Sequence, residues 1–150
     1  MTRSPRSFIL AMSVLALGAG AALAEAHMDP IKTRQEAMKT VGASTKTLAQ
    51  MANGTNPFDA TAAESALTAM QEAVAEFATY FPDGSESDDS EAAPAIFTDR
   101  EGFEEKVTDF QADIDTALET PPSSQDELKV AFGSVAGNCK DCHENYRVDK

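Results

Sequence analysis

Both cysteines and one of the two histidines fall within five consecutive residues, Cys139-Lys140-Asp141-Cys142-His143. On a helix, positions three apart share a face, so two thiols can reach one edge of a flat macrocycle while the next residue turns its imidazole beneath the centre. That arrangement suits thioether bonds to the two vinyl groups of a porphyrin with His143 on the iron, and C-x-x-C-H is the attachment signature of c-type haem. Three other readings use the same residues. A dithiol redox pair needs its C-x-x-C at a helix N-terminus, where the dipole lowers a thiol pKa; this pair lies near the C-terminal end of a predicted helix, where the dipole acts the other way. A zinc site needs four ligands, and beyond Cys139, Cys142 and His143 only His27 and carboxylates remain. The last alternative is a chance match in a structural bundle without cofactor. Because His143 lies close to the end of the sequence, a sixth ligand from the protein is expected upstream.

The elements that must position these residues read as four helices. The first starts at Asp29, an N-cap followed by Pro30 at the first helical position. Its seam is predicted along Ile31, Met38, Thr45 and Ala52, interleaved with Val41 and Leu48, and Asn53-Gly54 supplies the stop. The second is expected from about Asp59 to Phe81, with Leu67, Met70, Val74, Phe77 and Phe81 on one stripe and Pro82-Asp83-Gly84 ending it. Ser85 to Glu91 is too polar to offset the cost of ordering and reads as an exposed loop. A third helix begins between Pro94 and Asp99, carries Ile96, Phe103, Val107, Phe110, Ile114 and Ala117, and closes at Pro121-Pro122. The fourth starts at Ser124, with Glu127 completing a capping box, and sets Leu128, Phe132, Val135, Cys139, Cys142 and Tyr146 along one stripe. With no strand pattern and modest connections, an all-α, antiparallel up-down four-helix bundle is expected.

Residues 1–24 read as a secretory signal peptide: Arg3 and Arg6, an apolar run from Phe8 to Ala19, then the small-residue exit Ala22-Leu23-Ala24. One domain, 25–150, would follow. The full chain carries 12 basic and 25 acidic side chains for a formal charge of −13, and loss of Arg3 and Arg6 would make that −15. Such a charge disfavours nucleic acid and steers docking toward a basic partner. No second apolar stretch is long enough to span a bilayer. Export agrees with the motif, since c-type haem is attached after translocation.

The chain resembles the class II cytochromes c, the family of cytochrome c-prime and low-spin cytochrome c-556. The marks of the resemblance are Arg34-Gln35-x-x-Met38-Lys39-x-x-Gly42, Asn56-Pro57-Phe58-Asp59, Phe81-Pro82-x-Gly84-Ser85 and Cys139-x-x-Cys142-His143-x-x-Tyr146-Arg147, in that order over essentially the whole domain. The tryptophan common after the loop in many relatives is absent, and Phe97 stands in its place. The resemblance implies a left-handed four-helix bundle with haem near one end between the first and last helices, often as a homodimer. It places Met38 on the distal side of the iron, Arg34 and Gln35 beside the haem propionates, Tyr146 as proximal packing and Arg147 in the field around His143. The antiparallel arrangement agrees: at about 1.5 Å per residue Met38 stands roughly 13 Å along the first helix, level with His143 within a haem's breadth, whereas Met51 stands roughly 33 Å along at the far end. Met28 sits at the terminus, and Met51 and Met70 are expected in the core.

The expected function is therefore that of a periplasmic cytochrome, not an enzyme, with one covalent haem c held by Cys139, Cys142, His143 and Met38. It would carry single electrons to a redox partner protein. The alternative is a five-coordinate haem that binds NO or CO. No triad, phosphate loop or carboxylate pair suggests hydrolase or transferase chemistry.

Overall fold

Asp29 begins the first helix as expected. In the computed structural model, which describes residues 29–148, its carboxylate accepts from the Ile31 and Lys32 N–H groups at 3.0 and 3.3 Å, opening α1 (Pro30–Ala52). The predicted leader, His27 and Met28 lie outside the described residues. Gly54, at φ 77°, turns the chain out of the helix, a conformation that favours a residue without Cβ. The α1 seam matches the prediction in part. The buried stripe is Arg34, Ala37, Val41, Ser44, Leu48, Met51 and Ala52, so Val41, Leu48 and Ala52 face the core as expected, while the core-facing side is turned away from the Ile31–Met38–Thr45 column. That column is half-buried, and its Met38 and Thr45 line a cleft.

Asp59 caps α2 (Ala60–Val74) through the Ala62 N–H at 3.0 Å. The predicted continuation to Phe81 is corrected: the helix stops at Val74 and resumes as a 3₁₀ turn, Phe77–Tyr80. The side-chain amide of Gln111 donates to the Val74 carbonyl at 2.6 Å and to that of Ala75 at 3.2 Å, acceptors that a continuing helix would need for its own N–H groups. Phe77 and Phe81 stay buried all the same. The predicted third helix is likewise two, a single turn α3 (Ala95–Thr98) and α4 (Arg100–Glu119). Asp99 separates them and caps α4 through the Gly102 N–H at 3.3 Å. Ser124 caps α5 (Gln125–Tyr146), while Glu127 reaches one residue further back than a capping box requires, taking the N–H and hydroxyl of Ser123, both at 2.8 Å.

The four long helices pack in a ring, α1 against α2 and α5, and α4 against α2 and α5, giving the antiparallel up-down four-helix bundle. Its core holds Leu48, Leu67, Met70, Val74, Phe103, Ile114, Leu128 and Val135, all fully buried. Each such side chain contributes about 1.5–3 kcal/mol relative to exposure. Met51 and Met70 are core residues, as expected. Phe103 centres an aromatic cluster with Phe81 at 4.9 Å, Tyr146 at 5.5 Å and Phe77 at 6.5 Å between ring centroids.

Ser85 to Glu91, expected as an exposed loop, forms a strap held from below. Ser90 is buried, and Arg34 supplies the order that apolar area does not. Past the strap, the chain pairs with the end of α5: Ala93 N–H donates to the Tyr146 carbonyl at 3.0 Å and Val148 N–H to that of Glu91 at 2.9 Å. An isolated antiparallel bridge joins Ala92 to Arg147.

Candidate functional site

The bundle leaves a cleft of about 770 Å³ bounded by α1, α4, the end of α5 and the strap. Cofactor pockets commonly fall within about 300–1,000 Å³. Cys139, Cys142 and His143 line it from α5 and Met38, Val41 and Thr45 from α1, with Phe103, Val107 and Phe110 of α4 adding an apolar wall. The residues predicted to hold a porphyrin, on helices far apart in the sequence, therefore meet at one concavity. Met38 and Thr45 of the half-buried α1 column belong to this wall, which is why Met38 is not in the core.

Both cysteines are free and half-buried. Burial pushes both thiols up from their ordinary pKa; for Cys142 the neighbouring Cys139 adds to the rise and the Lys106 ammonium opposes it. A dithiol redox catalyst needs the reverse, a stabilised thiolate. His143 is pulled down, chiefly by burial and then by the Arg147 guanidinium, with Glu91 opposing. A neutral imidazole is the form that binds metal. Among the described residues no group of three or more His, Cys, Asp or Glu side chains could enclose a metal ion by itself.

Arg34 and Gln35 lie on the cleft wall, and the structure shows what they hold. Arg34 is buried, and one of its terminal nitrogens donates to Ser85 Oγ at 3.1 Å and to the Tyr80 carbonyl at 3.5 Å. The other donates to the Ser85 carbonyl at 2.9 Å and to Ser90 Oγ at 2.8 Å. Its guanidinium also sits 4.8 Å over the Phe81 ring. Gln35 donates to the Asp89 carbonyl at 3.2 Å. All the Arg34 acceptors are neutral and its Nε has no partner; burial lowers its pKa, with Asp29 and Glu86 opposing. A buried cation that no carboxylate hydrogen-bonds is costly. Haem fits these residues: it brings carboxylates to a cleft whose wall holds a buried guanidinium with an unpartnered Nε, and vinyl groups to two unbonded thiols.

Several residues at the site were not picked out from the sequence. Asp99 accepts the Tyr146 hydroxyl at 2.7 Å, and Glu91 pairs with Arg147 at 2.8 Å. Arg100 donates to the Phe81 carbonyl at 2.9 Å. Ser85 and Ser90 complete the strap. Only the glycine and serine positions within the family-like Phe81-Pro82-x-Gly84-Ser85 signature hinted at any of these.

A family model described as Cytochrome C' matches residues 29–147. Cytochrome c-556 of Agrobacterium tumefaciens (strain II Chrys) is 34% identical over 120 residues, covering 80% of this chain and 98% of that relative. Cytochrome c' of Rhodopseudomonas palustris is 31% identical over 138 residues, 91% of this chain and 92% of its own. Among solved structures, cytochrome c' from Rhodobacter spheriodes superposes with a TM-score of 0.75 at 27% identity, covering 81% of this chain and 96% of that one. The nitric oxide complex of a mutant cytochrome c prime from Alcaligenes xylosoxidans reaches 0.72 at 27% identity, over 80% and 94%.

Proposed function

This chain belongs to the cytochrome c' family, and on that premise we propose that it is an exported, periplasmic mono-haem cytochrome carrying single electrons. In this reading haem c is joined through Cys139 and Cys142, with His143 as proximal and Met38 as distal ligand. The observation that supports it is the convergence of Met38 with Cys139, Cys142 and His143 on one cleft.

When bound, haem supplies an iron that takes up and gives back one electron. The protein's part is to hold it. The two thiols would tether it; the imidazole, neutral at ordinary pH, would offer a lone pair to its iron; and the Met38 thioether, a soft ligand, would raise its potential. The aromatic wall around Phe103 excludes water, and Arg34 offers a positive charge to the propionates. Arg147, paired with Glu91, adds its field near His143. The acidic surface favours a basic redox partner; the homodimer implied by the family belongs to the same proposal. No helix among the described residues is long and apolar enough to cross a membrane.

A second reading is a five-coordinate haem that binds NO or CO. It is favoured by the similarity to a cytochrome c prime solved with nitric oxide. The half-buried, unbranched Met38 side chain can also move aside. The ferrous absorption spectrum with and without CO separates the two. Methionine ligation gives a sharp low-spin band that CO changes little, and Met38→Ala then turns it high-spin. If Met38→Ala leaves a low-spin spectrum as it was, the ligand assignment is wrong.

A further inference from the structure

We propose that Tyr146, anchored on Asp99, is a positioning residue that fixes the last turn of α5 and with it the direction of the His143 imidazole; this rests on the haem reading above. Among the described residues the His143 ring has no hydrogen-bond partner, only the opposed fields of Arg147 and Glu91. Metal-bound histidines are ordinarily oriented by a hydrogen bond from the second ring nitrogen. Here the orientation has to come from the turn that carries the ring. That turn lies at the end of a helix, where backbone groups lack intrahelical partners and fraying starts.

Tyr146 is three residues after His143 and so shares its side of the helix. Its hydroxyl donates to Asp99 Oδ2 at 2.7 Å, while Asp99 Oδ1 accepts the Gly102 N–H at 3.3 Å, so the carboxylate is held from two directions. The Tyr146 ring is set edge-on to Phe103 at 5.5 Å, and its carbonyl accepts the Ala93 N–H at 3.0 Å. Gly102 makes the hydroxyl–carboxylate bond sterically feasible. A Cβ there would lie 2.5 Å from Asp99 Oδ2 and 2.6 Å from the Tyr146 hydroxyl. Packing alone would need only the ring. The directional bond and the clearance kept for it belong to fixing a position.

The test uses the haem-loaded protein. Tyr146→Phe keeps the ring and removes the hydroxyl. Asp99→Ser keeps a helix cap but withdraws the carboxylate acceptor, and Gly102→Ala pushes into the bond while leaving both partner residues in the sequence. Val135→Ala, a fully buried residue of the same helix, serves as a destabilised control. The expected result is that all three site variants broaden the ferric EPR signal into more than one species and shift the midpoint potential. Tyr146→Phe combined with Asp99→Ser should go no further than either alone. Val135→Ala should lower the melting temperature and leave both spectroscopic readouts in place. Site variants that melt earlier yet keep the wild-type EPR signal and potential would overturn the proposal, and if one variant fails to fold the other two decide it. Wild-type protein lacking any haem mass would sink the underlying haem reading instead.

Discussion

Replacing Arg34 with Met should release the strap. The substitution removes donors to Ser85 Oγ at 3.1 Å, the Ser85 carbonyl at 2.9 Å and Ser90 Oγ at 2.8 Å; the 3.5 Å contact to Tyr80 is too long to count for much. Hydrogen bonds to a charged group contribute about 1.5–3 kcal/mol each, so three reach about 4.5–9 kcal/mol before offsets. Keeping a guanidinium out of water costs several kcal/mol, which leaves a net loss of about 2–4 kcal/mol. For a domain of this size that is roughly a 6–20 °C fall in melting temperature. Arg34→Lys should fare no better, because a single ammonium cannot serve acceptors arrayed round a planar fork. Gln35→Ala removes one exposed bond and should cost less than about 1 kcal/mol. Far-UV circular dichroism melts at equal haem loading give the ranking, and limited proteolysis reports strap release as cuts between residues 82 and 91. A loss below about 1 kcal/mol for Arg34→Met, with no new cleavage, would refute the clamp.

Two pH predictions follow from named groups. The Asp99 hydrogen bond, helped by burial and the Asp99 charge, pushes the Tyr146 phenol up from 10.0 to about 12; its contribution to stability is therefore full below pH 10 and is lost as pH rises toward 12. Denaturant melts across that window should show an alkaline decline that is shallower in Tyr146→Phe, and identical slopes would contradict the bond. At the other end of the scale, hydrogen bonds from Ser123 hold Glu127 below its usual value of 4.5, so its contribution is present above that pH and fades as acid protonates it. Acid titration followed by circular dichroism should find Glu127→Gln weaker than wild type at neutral pH and the two converging at low pH.

How much of this was legible in the sequence depends on the range of the interaction. The Cys139–His143 spacing and the caps at Asp29 and Ser124 are local, and the structure places them as read; Asp59, read only as the start of the second helix, caps it as well. The breaks are tertiary. Nothing between residues 60 and 81 says that Gln111, from another helix, takes the Val74 and Ala75 carbonyls. The tilt of the α1 seam has a related cause: apolar residues facing a cofactor cleft look, by spacing, like core residues. Ser85 to Glu91 was read as unable to order because composition counts apolar area, whereas one buried arginine from α1 supplies the order instead. The Asp99–Gly102–Tyr146 arrangement joins α4 to α5, and no short motif could announce it.

The central claim is that one haem is bonded to both cysteines, and intact mass spectrometry of exported protein tests it most directly. The expected mass is that of the processed polypeptide plus one haem, with the added mass confined to a peptide containing Cys139 to His143 and no thiol left to alkylate. Two alkylatable thiols and a bare polypeptide mass, in cells able to attach c-type haem, would contradict it.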